Sequence, residues 1–369
     1  MLEPSSSHIH FAFVTGATGL LGNNLVRALV ARGLRVTALA RSREKAERLL
    51  AGLPVEIVVG DIDDHAVLRP ALANVDVLFH TAAYFRDSFT GAAGDHAAHM
   101  QRVNVEGTAR LLTCAYGAGV RRLVHTSSTA VLFGPRGQRI DETMRREERL
   151  ANDYGKSKIR SDRVIDEFLA RHPDMFATLV LPGWMFGPGD AGPTPAGQFV
   201  LDFLRRKLPG IAPATFAVVD ARDVADVMIA AALRGRRGER YIVAGRHVTM
   251  GDLFDHLQRV TGVPGPSRTL PMALVFLVAA ANEVWARVSR RPALFNFETA
   301  RLMARERNRS HYDHSKATRE LGVSFRPFDE TLRDVLRWYE AEGWLRDDTS
   351  IAHDRARLTA SLERPDRTT

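Results

Sequence analysis

The chain has 369 residues, of which 45% are hydrophobic and 25% charged, and its formal net charge is +8. This composition is typical of a folded globular protein and excludes a disordered one. Arginines are spread among acidic residues and form no basic run with interleaved aromatic side chains, so no nucleic-acid partner is expected. The single cysteine, Cys114, excludes a disulfide framework and a cysteine-based metal site, which suits a cytoplasmic protein.

Strand and helix patterns alternate along most of the chain. Predicted strands at residues 10–14, 35–40, 55–59, 77–80, 122–126 and 176–181 alternate with predicted helices at 20–32, 43–50, 65–73, 94–117 and 152–171. A further strand and helix follow at 216–219 and 223–233. This alternation predicts an α/β fold with a doubly wound parallel sheet of the Rossmann type.

A glycine-rich loop follows the first predicted strand. Gly16 allows a tight turn, Gly19 lets backbone N–H groups approach a pyrophosphate, and Gly22 permits close packing of the next helix. That helix adds its positive N-terminal end. Because the three glycines lie inside a strand–helix–strand unit, they predict a dinucleotide site. We expect three further residues of this loop to contact the cofactor: Thr18, Leu20 and Leu21.

The residues after the second and third strands indicate which dinucleotide binds. An acidic residue after the second strand would bond the ribose hydroxyls and repel a 2′-phosphate, whereas this chain has Arg41. A guanidinium favours a phosphate, so we predict NADP(H) as the cofactor, with NAD(H) and a merely solvated Arg41 as the alternatives. Asp61, next to Ile62, is placed to bond the adenine amino group or else to cap the following helix.

Tyr154 and Lys158 lie four residues apart on a predicted helix and therefore share one face. A free tyrosine has a pKa of about 10 and is a poor base at neutral pH unless a neighbouring cation stabilises its phenolate. Lys158 supplies that cation and can also hold the nicotinamide ribose. Together with the hydroxyl cluster at 126–129, the pair predicts an enzyme that interconverts carbonyls and alcohols, with Tyr154 exchanging the proton.

With these motifs, residues 10–345 resemble the extended short-chain dehydrogenase/reductase family, part of the NAD-dependent epimerase/dehydratase superfamily. The resemblance implies that Tyr154 is the acid/base and Lys158 its partner. It also implies that a hydroxyl orients the substrate carbonyl, with Thr129 favoured and Ser128 as the alternative. Asn104 would help to organise the site, a helix-packing role being the alternative. Further positions along the cofactor are Thr81, Ala82, Ala83 and Pro182.

Within the family, the closer likeness is to dihydroflavonol 4-reductase-like enzymes and to bacterial proteins called hopanoid-associated sugar epimerases. Arg41 favours a reductase that consumes NADPH over an epimerase that retains NAD. An epimerase must also bind a diphosphate, for which Arg268 or Arg291 could serve, although no strong signature compels that role. We therefore expect an NADP(H)-dependent reductase or dehydrogenase of dihydroflavonol-reductase or hydroxysteroid-dehydrogenase type. A nucleotide-sugar epimerase with tightly bound NAD(P) and a non-catalytic dinucleotide-sensing protein are the alternatives.

Glycine and proline breaks from Gly183 onward predict a loop that enters a smaller, mostly helical C-terminal substrate lobe. We assign residues 8–182 and 217–245 to the NADP-binding domain, 183–216 and 246–346 to the lobe, and 347–369 to a loosely held tail. Five side chains on predicted sheet-edge loops are expected to line an apolar substrate pocket or else to close the interface between the lobes: Tyr84, Phe85, Trp184, Met185 and Phe186.

The remaining expectations concern partners and location. The N-terminus lacks the basic start and apolar core of a signal peptide, which favours a cytoplasmic location. The apolar run 270–281 is too short to span a bilayer and is interpreted as a buried helix, with peripheral membrane contact as the alternative. His80 and His125 are interpreted as buried core residues, and no metal site is predicted. We expect a small-molecule substrate and a homodimer.

Overall fold

The computed structural model describes residues 9–85, 96–289, 297–346, 351 and 354–362. The strands in this part of the chain are β1 (Phe11–Thr15), β2 (Arg35–Ala40), β3 (Val55–Val59), β4 (Val77–His80), β5 (Arg122–Thr126), β6 (Phe176–Pro182), β7 (Trp184–Phe186), β8 (Thr215–Asp220), β9 (Arg240–Val243) and β10 (Arg246–Thr249). They form two sheets, one of seven strands and one of three.

The α-helices are α1 (Leu20–Ala31), α2 (Arg43–Leu49), α3 (His65–Ala71), α4 (His96–Met100), α5 (Gly107–Gly117), α6 (Asp153–Arg171), α7 (Pro195–Leu204), α8 (Ala221–Arg234), α9 (Met250–Thr261), α10 (Met272–Ser289), α11 (Phe297–Glu306), α12 (Ser315–Leu321), α13 (Phe328–Ala341) and α14 (Arg355–Leu362). A π-helical turn at Gln101–Glu106 joins α4 to α5. Short 3₁₀ turns lie at Thr129–Val131 and Glu148–Leu150.

The larger sheet has the strand order β3-β2-β1-β4-β5-β6-β9, and every neighbouring pair is parallel. Its central strands β1 and β4 are buried along their whole length because helices cover both faces, which explains their uninterrupted apolar sequences. The strand order reverses between β1 and β4, where such sheets form a binding crevice at their carboxyl edge. The predicted doubly wound α/β fold is confirmed.

The smaller sheet has the order β10-β8-β7, with β7 parallel and β10 antiparallel to β8. Side chains of β8 alternate between two cores: Val218 joins the core of the C-terminal lobe, whereas Val219 joins that of the larger sheet. The sequence boundary at residue 217 therefore falls within a strand that serves both parts. The structure places β8 in the smaller sheet and β9 at the edge of the larger one.

The chain passes from β6 to β7 through Gly183 alone. A Cβ atom at this position would collide with the carbonyl oxygen of Ala217 and lie 3.1 Å from that of Ala244. Only a glycine fits this close approach of three backbone segments. The two sheets are therefore joined here without an intervening loop.

The C-terminal segment differs from the loosely held tail that we expected. Leu358 of α14 is buried in the core of the lobe, and α14 packs against α9 and α13. Asp354, also buried, accepts two hydrogen bonds of 2.9 Å from Arg206. The buried leucine and the ion pair tie this short helix to the lobe, although the sequence around them is polar. Residues 347–350, 352–353 and 363–369 lie outside the described residues.

Candidate active site

The glycine loop lies in the crevice between β1 and β4. Gly16 has a φ angle of 68°, and a Cβ atom there would come within 2.7 Å of the Ala82 backbone nitrogen. A Cβ atom at Gly22 would collide with the carbonyl oxygen of Gly16. Gly19 stands before α1 and no side chain caps that helix, so its first-turn N–H groups are not claimed by a capping residue. The loop thus has the backbone-lined form that binds a pyrophosphate.

Arg41 follows β2 and is exposed. Within the described part of the chain its guanidinium has neither a hydrogen-bond acceptor nor an ion-pair partner, while the neighbouring Ser42 caps α2 through a 3.2 Å bond from Lys45 N. Asp61 accepts a 2.7 Å bond from Ile62 N. The helix-cap alternative for Asp61 is wrong, because Asp64 caps α3 instead.

The start of α6 fixes the position of the predicted catalytic pair. The Asn152 side chain accepts a 2.8 Å bond from Gly155 N, so the helix begins just before Tyr154. Tyr154 is half-buried, and the Phe85 ring meets its ring edge-on with 4.4 Å between centroids. Lys158 follows one turn later on the same helical face.

Lys158 is buried, with only 2% of its surface exposed. Its ammonium donates a 2.8 Å hydrogen bond to the Thr126 carbonyl at the end of β5. Burial lowers the pKa of Lys158 to about 8, against the opposing influence of the Asp162 carboxylate one turn further along α6. Burial likewise raises the pKa of Asp162 to about 6, although Arg240 lies 3.5 Å from it. Lys158, Asp162 and Arg240 form a buried charge row behind the site.

His80 and His125 lie on neighbouring core strands, and both are 1% exposed. His80 is bonded on both ring nitrogens, to the hydroxyls of Thr15 at 2.8 Å and Thr108 at 3.0 Å. Burial, reinforced by the charge of Lys158, lowers the pKa of His80 to about 3 and that of His125 well below its usual value. Both rings are therefore neutral, and Lys158 faces them as the cation.

Asn104 lies in the π-helical turn and connects two parts of the site. Its amide is bonded both to the backbone N–H of Tyr84, at 2.7 Å, and to the carbonyl of Tyr84, at 2.9 Å. It also donates a 3.0 Å bond to the Ser157 hydroxyl, which in turn donates to the Tyr154 carbonyl at 2.8 Å. The turn thus attaches the segment after β4 to the helix that carries Tyr154. π-helical turns of this kind often occur at functional sites.

The two candidate orienting hydroxyls lie at the start of the 3₁₀ turn after β5. Ser128 Oγ accepts a 3.1 Å bond from Ala130 N and so caps the turn. Thr129 is buried, and its carbonyl accepts a 3.5 Å bond from the Tyr312 hydroxyl. The bond from Ala130 N uses an acceptor lone pair of Ser128 and leaves its O–H donor available, so both hydroxyls remain candidates for orienting a carbonyl.

The five predicted pocket residues separate into groups. Tyr84 is held by Asn104 and Phe85 lies against Tyr154, whereas Met185 packs onto the core of the larger sheet. Trp184 stacks on Phe216 with 4.9 Å between ring centroids. Phe186 is 2% exposed and meets the Phe328 ring edge-on within the core of the lobe. Phe186 is therefore a core residue of the lobe rather than part of an open pocket.

Sequence reasoning missed three residues of this region: Ser157, Asp162 and Phe216. Asp162 stands four residues after Lys158, a spacing that would have placed a carboxylate beside the ammonium. Ser157 lies on the helix next to Lys158, but its bond to Asn104 depends on the π-helical turn. Phe216 meets Trp184 only because β7 pairs with β8, for which the sequence gives no local signal.

The chain is similar to proteins of known families over most of its length. The model of the NAD dependent epimerase/dehydratase family matches residues 12–244. A dihydroflavonol 4-reductase-like protein of Synechocystis sp. is 34% identical over 341 residues, which cover 90% of this chain and 96% of that protein. Sterol demethylase protein B of Methylococcus capsulatus is 36% identical over 337 residues, covering 90% of this chain and 99% of that protein.

A solved structure resembles the whole fold. The crystal structure of gox2253 has 33% sequence identity and a TM-score of 0.77, and the match covers 90% of this chain and 98% of that one. The predicted family resemblance is confirmed by these similarities.

Proposed function

The chain belongs to the NAD-dependent epimerase/dehydratase family, and we propose that it interconverts a carbonyl and a secondary alcohol on a small, apolar or cyclic substrate with NADP(H). Its relatives carry the names of reductases and dehydrogenases, and it is an NAD(P)-dependent oxidoreductase of the extended short-chain type. The observation that carries the finer proposal is the buried Lys158 ammonium one helical turn from Tyr154.

The residues around the crevice fit a dinucleotide. The loop through Gly16 and Gly22 has no space for added side chains, and the start of α1 is not capped by one. Arg41 offers an exposed guanidinium for a 2′-phosphate, which is why we propose NADP(H) rather than NAD(H). We assign Asp61 and Ile62 to the adenine. The other contacts we propose are Gly19, Thr18, Leu20, Leu21, Thr81, Ala82, Ala83 and Pro182.

When bound, the nicotinamide supplies or accepts the hydride. Tyr154 donates its phenolic proton to the carbonyl oxygen during reduction, and its phenolate takes the proton of the alcohol during oxidation. The Lys158 ammonium has three N–H donors, of which the Thr126 carbonyl takes one. The others remain for the ribose and for stabilising the phenolate. Thr129, with Ser128 as the alternative, orients the carbonyl, and Asn104 positions the helix through Ser157.

Aromatic side chains support an apolar substrate. Phe85 lies beside Tyr154, and the stacked pair of Trp184 and Phe216 packs against the core of the lobe. A nucleotide-sugar substrate would instead need cations for its diphosphate. Of the two arginines considered for that role, Arg268 is exposed, and Arg291 lies outside the described residues. Stacked aromatic rings suit a steroid-like, terpenoid or aryl ketone better than a sugar diphosphate.

The test is turnover of NADPH and NADH against a panel of apolar ketones, cyclic ketones and nucleotide sugars. Stoichiometric NADPH loss with an apolar ketone is the expected result. Tyr154→Phe should lower kcat by about a hundredfold to ten-thousandfold with little change in NADPH affinity, because it removes the transferable proton. Tyr116→Phe, which deletes a surface hydroxyl bonded to Asp174, is the matched control and should leave kcat unchanged.

Two results would overturn this assignment. Dialysis-resistant NAD together with epimerisation of a nucleotide sugar would establish the epimerase. Tight NADPH binding without turnover across the whole panel would establish a dinucleotide-sensing protein.

A further inference from the structure

Helix α10 carries an exposed apolar face. Four of its large side chains belong to the most exposed hydrophobic residues of the described chain: Leu274 (39%), Leu277 (66%), Val284 (59%) and Trp285 (66%). With the exposed Ala281 they are spaced three and four residues apart, so they lie on one side of the helix. We call these five residues the α10 stripe; from end to end it runs about 17 Å along the helix.

The opposite side of α10 packs against the core of the lobe. Val275 and Ala279 are buried in the core of the lobe, at 3% and 0% exposure. The helix is therefore apolar on both sides, and packing within the chain covers only one. The sequence expectation of a buried helix at 270–281 describes that side alone. No helix in the described part of the chain is both long and apolar enough to cross a membrane.

Exposed positive charge lies on the helix next to α10. Helix α11 packs against α10 and carries the exposed Arg301 and Arg305, with Arg307 just beyond its end. Two carboxylates of this region have bonds of their own: Glu306 binds Arg146 at 2.7 Å, and Glu283 accepts a 3.2 Å bond from Phe297 N at the start of α11. An exposed apolar stripe on one helix and exposed arginines on its neighbour are together complementary to the surface of an anionic bilayer.

We propose that the α10 stripe docks onto anionic membranes, with α10 lying in the plane of the lipid headgroups. A second copy of the chain fits less well. A stable protein interface needs roughly 800 Å² and about 20–30 residues on each side, far more than a single-helix stripe supplies.

The docking face is attached to the site. Arg305 donates a 2.9 Å bond to the Leu150 carbonyl, just before the helix that carries Tyr154. The Arg146–Glu306 ion pair makes a second connection between α11 and the same segment. If the proposed function holds, an apolar substrate dissolved in the bilayer would meet the enzyme at this end. Docking itself depends only on the stripe and its charges, so it is testable whether or not that function is correct.

The experiment is cosedimentation of the full chain with vesicles. Vesicles of phosphatidylcholine mixed with phosphatidylglycerol should bind the protein, those of phosphatidylcholine alone should bind it less, and added salt should weaken binding. The double variant Leu277→Glu, Trp285→Glu should weaken binding by about tenfold or more. The matched control is Leu233→Glu on α8, where the leucine is 56% exposed; it should bind like the wild type. Circular dichroism should show unchanged folding in both variants.

Three results would overturn the proposal. The first is failure of the wild type to bind the mixed vesicles, and the second is binding of the double variant that equals that of the wild type. In the third case, sedimentation equilibrium would show the double variant at half the mass of the wild type, so that a second copy covers the stripe. Turnover of a water-soluble ketone reports on the proposed function separately and should be equal in the wild type and both variants.

Discussion

Replacing Lys158 by methionine should remove the free-energy cost of burying a charged ammonium, a cost that depends on pH. Burial lowers the pKa of Lys158 from 10.5 to about 8. Below about pH 8 the lysine is protonated in both the folded and the unfolded chain, and the folded protein bears the full cost of burying that charge. Between about pH 8 and 10.5 the folded protein has released a proton that the unfolded chain still holds, so stability rises with pH.

The size of the effect follows from the same shift. Each pKa unit corresponds to about 1.4 kcal/mol, so the free energy of unfolding should gain about 3 kcal/mol across this pH window. In a methionine variant this gain is absent. The stability of the lysine protein minus that of the Lys158→Met protein should therefore increase by about 3 kcal/mol from pH 7 to about pH 10.5.

The assay is urea unfolding followed by circular dichroism at closely spaced pH values. Both proteins should carry Tyr154→Phe, so that the neighbouring phenol is absent from the comparison. Lys156→Met in that background is the control, because Lys156 lies on the same helix but pairs with Asp153 at the surface. Its stability curve should run parallel to that of the lysine protein. A flat difference curve for Lys158→Met would refute the reasoning, because the ammonium would then not be desolvated.

Two further predictions concern the cofactor and the charge row. Arg41→Asp should invert the ratio of kcat/KM for NADPH and NADH, since it replaces the proposed phosphate ligand by a carboxylate, whereas Arg43→Asp two residues later should leave the ratio unchanged. An unaltered ratio in Arg41→Asp would show that Arg41 does not bind the 2′-phosphate. Asp162→Asn removes the carboxylate that holds up the pKa of Lys158, so the alkaline limb of the kcat profile should move to lower pH. A limb that stays in place would show that the charge row does not act on the site.

The local parts of the site could be predicted from the sequence. Gly16 and Gly22 lie within one strand–turn–helix unit, and Tyr154 and Lys158 lie one turn apart on one helix. For such motifs, spacing along the chain fixes spacing in the fold, because neither the turn nor the helix depends on distant segments. The parallel sheet is predictable for a related reason, since alternating strands and helices leave few other ways to bury both faces.

Contacts between segments that are distant along the chain could not be predicted from the sequence. The stacking of Trp184 on Phe216 requires the pairing of β7 with β8, and Phe186 is buried by residues distant in sequence, Phe328 among them. An aromatic residue at a sheet edge looks the same in sequence whether it lines a pocket or fills a core. The π-helical turn around Asn104 likewise has no composition signal that separates it from an α-helix.

The position of β9 affects how the protein can fold while it is being synthesised on the ribosome. Strand β6 pairs with β9, but Leu179 and its partner Arg240 are separated by the whole of α7, β7, β8 and α8. The edge of β6 therefore stays unpaired until Val243 has emerged, and open strand edges are sites of misassociation. The seven-stranded sheet cannot be completed before β7 and β8 of the smaller sheet have been synthesised. A gene truncated after Pro182 would encode a sheet without its last strand.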